Sequence, residues 1–370
     1  MNLETIVKNF ENTSTEELST LLFDQIQSGD LTIFDHLNGT LPAINENNTE
    51  TPVDIEPEPD KINLMNDNKS EVFGAIPATV KIDDALEFGG IDYLVEQFPI
   101  FTDIVNEDGE EQKWQVPGYL GVRREDDHKN VFNILRDTYQ IVQNRAVLEY
   151  IEPLLTATEG KFTRVGSLLK GARMFAFITL DDKVELPGGI KMNQDLGILT
   201  SHDGSHCLSI FITATLSDGT IVKKSRSFDL RHTLNVKIRM SEVIKILKMK
   251  NEFFEELTTK VRDLTERVMS KDEANVWLEK FLDFPEQKDV SVHHAKIAAK
   301  DGILSAFNNA ITGGNTRLAM ALAVAHYRSH TAPAKSTKHF QSEAESRFRG
   351  VIIGTGVKEL ERCWDLLLEK

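Results

Sequence analysis

The stretch from Gly197 to Thr233 constrains this chain more than any other. It holds two turn signals, His202-Asp203-Gly204-Ser205 and Ser217-Asp218-Gly219, and Asp-Gly supplies the positive φ that a tight hairpin needs at low steric cost. Between the turns, Leu208, Ile210, Ile212, Ala214 and Leu216 alternate with Ser209, Phe211, Thr213 and Thr215, the period-two pattern of a strand with one strongly apolar face. After the second turn, Lys223, Lys224 and Arg226 lie on a strand that ends in Arg231-His232-Thr233. The stretch reads as a β-meander with a basic final strand.

The flanks extend this pattern. Asp83 to Glu87 reads as a short helix stopped at Gly89-Gly90, followed by strands at 93–102 and 114–124 joined by an acidic turn, and another at 131–135. Asn144 is placed to cap a helix carrying Val147, Leu148, Ile151, Leu154 and Leu155, and strands at 162–168 and 173–180 lead back to the meander. Beyond Met240 the period changes. Ser241 is placed to cap a long helix striped by Val243, Leu247, Phe254, Leu257, Val261, Leu264 and Val268. Ser270 and Glu273 form a capping box for the next, with Val276, Trp277, Phe281 and Leu282 apolar and Pro285 beyond its end. Further helices fit 291–308, 315–329 and 356–368. The expected fold is α+β, an antiparallel meander sheet with a packed helix, followed by a C-terminal helical region.

Charge separates the front of the chain from its body. Residues 1–112 carry 25 acidic and 4 basic residues, a net of −21, whereas 113–350 carry 29 acidic and 35 basic residues, a net of +6. Residues 1–38 have a helical pattern opened by Ser14 to Glu17, and 39–72 are rich in Asn, Glu, Asp and Pro without an aromatic residue. Such a segment buries too little apolar surface to offset its ordering entropy and reads as an acidic linker. The expected division is 1–38 helical segment, 39–72 linker, 73–240 sheet core and 241–370 helical region packed on it. No apolar run approaches the roughly 18 residues of a membrane span. The opening residues lack a secretory pattern, and Cys207 and Cys363 stand far apart outside metal-ligand spacing. A reduced, cytoplasmic protein without a membrane partner is expected.

Several separated motifs agree with one family. They are Tyr139 to Asn144, Gly166-Ser167-Leu168 with Gly171 and Arg173, Ser201-His202-Asp203-Gly204-Ser205, and Arg231-His232-Thr233. They continue with Gly314-Asn315-Thr316, Ala325-His326-Tyr327 with His330, and Gly354 with Gly356, while Gly90 to Ile100 fits upstream. In order and spacing the chain resembles, over about residues 75–370, the phage/plasmid-like protein family of unknown function found in mobile elements. Two departures stand out: Phe73-Gly74-Ala75 replaces a Trp-His-Gly, and Ser217-Asp218-Gly219 makes a shorter loop where a Cys-x-Asn-Thr is common. The resemblance implies a mobile-element setting, with the host cell's cytoplasm as location for a phage-encoded protein, and brings no settled activity.

Four places invite chemistry. His202, Asp203 and His206 could hold a divalent ion, but turn chemistry already explains Asp203 and Gly204, so no metal and no cofactor is expected there. Arg231 and Thr233 share one side of a strand, where a phosphate contact and a buried ion pair both stay open. From His326 to Arg349 the chain interleaves Arg328, His330, Lys335, Lys338, His339 and Arg347 with Tyr327, Phe340 and Phe348, the mixture a single-strand groove uses, or else a solvated loop. Gly354 to Lys358 is a weak anion signal, and packing explains its glycines better. No nucleophile, paired-carboxylate or zinc-peptidase signature is present.

The expectation is a non-enzymatic nucleic-acid-binding protein of phage or plasmid DNA metabolism, binding or annealing single-stranded DNA in recombination. Its contacts would be Arg226, Arg231, Tyr327, Lys335, Lys338, Phe340, Arg347, Phe348 and Arg349. The alternative is a structural or interaction protein acting on host defence or replication, with residues 1–38 engaging a protein partner and self-association open to it. A hydrolase using the His202/His206 turn comes third.

Overall fold

Both Asp-Gly turns close as their chemistry requires. Gly204 and Gly219 take φ of +71° and +83°, the left-handed region that glycine enters without a Cβ clash. In each turn the aspartate accepts the N–H two residues on, Ser205 to Asp203 and Thr220 to Asp218, both at 2.9 Å.

The computed structural model describes residues 72–105, 109–186, 190–230, 240–284, 290–308, 315–334 and 342–369. The expectations for 1–38 and 39–72 lie outside them, save that Val72 is described and lines a pocket beside Gly219. The described chain starts with β1 (Ala75–Thr79) and α1 (Ile82–Phe88), then β2 (Val95–Val105), β3 (Glu111–Arg124) and β4 (Asp127–Arg136). Next come α2 (Asn144–Thr158), β5 (Lys161–Leu168), β6 (Arg173–Leu186), β7 (Ile190–Ser201), β8 (Leu208–Leu216), β9 (Ile221–Lys224) and β10 (Phe228–Leu230). The helices α3 (Met240–Glu266), α4 (Lys271–Phe281), α5 (Val290–Asn308), α6 (Arg317–His326), α7 (Glu343–Ile353) and α8 (Thr355–Leu368) complete it. The fold is α+β, with two antiparallel sheets and eight helices among the described residues.

The main sheet runs β1-β5-β6-β7-β8-β10, with β9 also paired to β8. The expected strands at 93–102, 114–124 and 131–135 do not join it; they form a separate three-stranded sheet, β2-β3-β4. Its exposure explains why. Val95 and Val122 are buried and Phe132 and Leu135 pack on the core, whereas Phe101, Ile104, Val105, Trp114, Tyr119, Val131 and Ile134 are exposed. The expectation of one apolar face on β8 also needs correction, because Phe211, Thr213 and Thr215 are as buried as Ile210 and Ile212. α7 lays Phe348 on the face that carries Phe175 and Phe177, with ring centroids 4.6 and 5.9 Å away, so both faces of β8's sheet are covered.

Several helix ends differ from the reading of the sequence. Asn144 is the first residue inside α2 and its side chain is buried; Gln143 holds the cap position but spends its side chain on the Val95 backbone. Ser241 already lies inside α3, which ends at Glu266, so Val268 leaves the stripe, is exposed and bridges to Thr316. The Ser270–Glu273 capping box is present, but Val276 is exposed and Leu278 takes the buried position. α6 stops at His326 and passes into a π-helical turn, Tyr327–Thr331. α7 was missed within the basic run, although Ser342 caps it and Phe348, Val351 and Ile352 follow at helical spacing.

Candidate functional site

The 201–205 motif is a structural hinge. His202 is buried, its Nε2 lies 2.9 Å from Asn144 Oδ1, and its ring stacks on Phe132. Ser201 Oγ donates to the His206 carbonyl and accepts the His206 N–H, both at 2.9 Å, closing the turn below. Asp203 Oδ1 also takes the Ser205 hydroxyl, and its carbonyl accepts Asn133 Nδ2 at 2.8 Å. Burial works to raise the Asp203 pKa, but the Ser205 bonds and Arg173, 3.4 Å away, outweigh it and hold the carboxyl below its usual range. Tyr139 donates to the Ser201 carbonyl at 3.1 Å, and burial together with Asp203 pushes its pKa up to about 12. His202 is thus committed to Asn144 and Phe132, while the half-buried His206 turns its Nδ1 to the Ser205 carbonyl.

The basic run divides on inspection. Arg231, His232, Thr233, Lys335, Lys338 and Phe340 lie outside the described residues. Arg226 is exposed between β9 and β10. Tyr327 and Phe348 are 3 % and 4 % exposed, so neither ring offers a face for a base. The reason is packing: Tyr327 lies against Gly302, and Phe348 sits among Phe73, Phe175 and Phe177. Arg347 pairs with Glu343 at 3.1 Å, and Arg349 is half-buried, its pKa pushed down by burial and by Arg173. Lys224, expected on a basic strand, lies over the Phe211 ring at 4.3 Å. Asn315 accepts the Met269 N–H at 2.8 Å, and the Thr316 hydroxyl caps α6 through Ala319, so that motif positions a helix. Gly354 and Gly356 serve packing, since a Cβ on either would meet the Gly350 backbone at 2.9 or 2.8 Å.

What the fold does bring together is a small pocket of about 40 Å³ lined by Arg164, Gly219, Ser329, His330, Arg347 and Phe348. Roughly 10–15 Å³ holds one water, so the space suits a few polar atoms such as phosphate oxygens. Arg164 is its anchor. Arg164, 7 % exposed, lays its guanidinium over Phe177 and Phe348 and donates from Nε and Nη2 to the Phe73 carbonyl at 3.2 Å. Its Nη1 is buried and has no hydrogen-bond partner among the described residues. Burial pushes its pKa down to about 10, and Asp195 opposes part of that shift; the group stays cationic near neutrality. No sequence signal marked Arg164, a lone arginine in a strand.

Beside this pocket three donors converge. Asp218 comes from the β8–β9 turn, His326 ends α6, and His330 lies in the π-helical turn. One ligand atom of each lies within 4.8 Å of the others, and this is the sole such group of three among the described residues. The His326 and His330 rings are 4.9 Å apart, and His330 Nε2 stands 3.8 Å from Asp218 Oδ2 and 3.0 Å from Thr220 Oγ1. Thr220 also donates its N–H to Asp218 Oδ1 and its hydroxyl to Oδ2, both at 2.9 Å. Burial lowers the His330 pKa; Asp218 works against that, and His326, Arg164 and Arg347 reinforce it. The spacing of His326 and His330, four apart, was the one visible signal for this group.

The profile of a domain of unknown function, DUF932, matches residues 131–351, which contain Arg164, Arg347 and the three converging donors. None of the curated proteins and no solved structure matches the chain.

Proposed function

The chain belongs to the DUF932 family of unknown function, and on that footing we propose that it binds single-stranded nucleic acid, without enzymatic turnover, in the DNA metabolism of a phage or plasmid. The mobile-element setting rests on the resemblance of its motifs. The observation that carries the binding is Arg164: a buried guanidinium with an N–H unmatched among the described residues, beside Arg347 and His330 in a pocket sized for a few oxygens. A buried donor left unpaired costs about 1–3 kcal/mol, and a phosphate oxygen recovers that cost with a charge-assisted bond.

Stacking moves elsewhere in this reading. Trp114 and Tyr119 are exposed on the three-stranded sheet, where Arg136 sits directly across from Tyr119. Rings and cations on an open sheet are a platform for unpaired bases. The same exposed side chains favour the second reading, an interaction protein that buries them against a partner.

Fluorescence anisotropy of a labelled single-stranded oligonucleotide, at two salt concentrations, tests the proposal. Wild type is expected to bind with a steep salt dependence, and Arg164→Met with Arg347→Ala to weaken it at low salt. Absence of binding by the wild type at low salt overturns the reading and leaves the interaction protein in its place.

A further inference from the structure

We propose that Asp218, His326 and His330 form a binding site for a divalent transition-metal ion. The donor set is the first argument. Two imidazoles and one carboxylate suit such ions and leave coordination positions open to water or a ligand. The backbone is the second. His326 and His330 are held four residues apart by the end of α6 and the turn after it, closed by the Ala332 N–H on the Tyr327 carbonyl at 2.7 Å. Asp218 reaches them from a hairpin turn whose left-handed Gly219 and Asx bond fix the carboxylate. Two unrelated elements therefore aim three donors at one point.

Distances fit with little movement. Donors bound at about 2.1 Å stand at most about 4.2 Å apart, and the three ligand atoms lie within 4.8 Å of one another. Small side-chain rotations close the difference. Support for the ligands is already built: the Thr220 hydroxyl and N–H hold both oxygens of Asp218, the orienting role that outer partners play around metal sites. The surroundings add a consequence. Arg164 and Arg347 line the pocket that His330 also borders, so an anion bound there would offset the repulsion between these cations and a dication held by His330. The site stands on its own geometry and does not depend on nucleic-acid binding.

The test titrates full-length protein with Co²⁺ and follows its visible ligand-field absorption, alongside Asp218→Asn, His326→Gln, His330→Gln and, as control, His206→Gln. One equivalent of Co²⁺ is expected, displaced by Zn²⁺. The first three changes should each weaken it by more than about 100-fold, beyond what loss of a supporting partner costs, and the control should not. A second readout needs no variant: Co²⁺ should protect His326 and His330, but not His206, from diethyl pyrocarbonate mapped by mass spectrometry. No saturable band in the wild type, or modification of both histidines of the pair unchanged by Co²⁺, overturns the proposal. Oligonucleotide anisotropy with a chelator present is read separately, so the two readings fail independently.

Discussion

His202 and Asn144, fifty-eight positions apart, meet at 2.9 Å between Nε2 and Oδ1 inside the core. Asn144 Nδ2 already donates to the Ile91 carbonyl at 2.9 Å, so Oδ1 is the acceptor and His202 supplies the proton from Nε2. The pair ties the hairpin turn to the first residue of α2 and, through Ile91, to the segment before β2. His202→Ala and Asn144→Ala should each destabilise by about 1–3 kcal/mol, the cost of a buried polar partner left unmatched. Because both remove the shared His202–Asn144 bond, the double change should cost clearly less than the sum. Urea unfolding of the four proteins measures this, and full additivity would refute the coupling.

Gly204 offers a backbone test. Its φ of +71° is strained for a β-branched residue, and a Cβ would also meet Leu135 at 3.1 Å. Gly204→Val should lower stability by about 1–3 kcal/mol, with Gly204→Asn costing less because asparagine enters the left-handed region more readily. Equal thermal midpoints for the two variants would show that strain is not the cause.

Lys223 predicts a pH dependence. Burial, with Lys260 beside it, pushes its pKa down to about 8 from the ordinary 10.5, although Glu256 opposes the shift. Between those two values the unfolded chain holds a proton that the folded chain has released. Stability therefore rises with pH through that window, and the penalty for burying the charged lysine is fully present below it. Wild type should gain stability relative to Lys223→Met between pH of about 8 and about 10.5, read from urea midpoints. A constant difference between the two proteins across that range would contradict the shift.

Binding of nucleic acid, under the proposed reading, has three further signatures. Arg347→Ala should reduce the slope of log affinity against log salt by about 0.7, one phosphate contact on a single strand. Trp114 is exposed while Trp277 is half-buried on Phe281 and Trp364 is buried, so stacking on the open sheet should quench tryptophan fluorescence, and Trp114→Phe should remove most of the quench. Removal of residues 1–71, which belong to a front part carrying a net −21 through residue 112, should tighten binding more at low salt than at high. An unchanged slope in Arg347→Ala would exclude that residue as a phosphate contact.

The sequence by itself determined the elements whose causes are local. Asp-Gly at 203–204 and 218–219 dictates the turns because the aspartate bonds its own backbone and glycine alone enters the left-handed region freely. The Ser270–Glu273 box starts α4 for the same kind of reason, within four residues. Only the tertiary structure decided what lies opposite. Alternation on β8 could not show that both faces are covered, since the covering comes from Phe348 on a helix 130 residues downstream. It also took Tyr327 and Phe348 from the proposed groove into the core, left Arg164 with an N–H unmatched among the described residues, and carried Asp218 to His326 and His330. Local hydrogen bonds and dihedral preferences are written in neighbouring residues; burial and convergence are properties of surfaces that meet only after the chain has closed on itself.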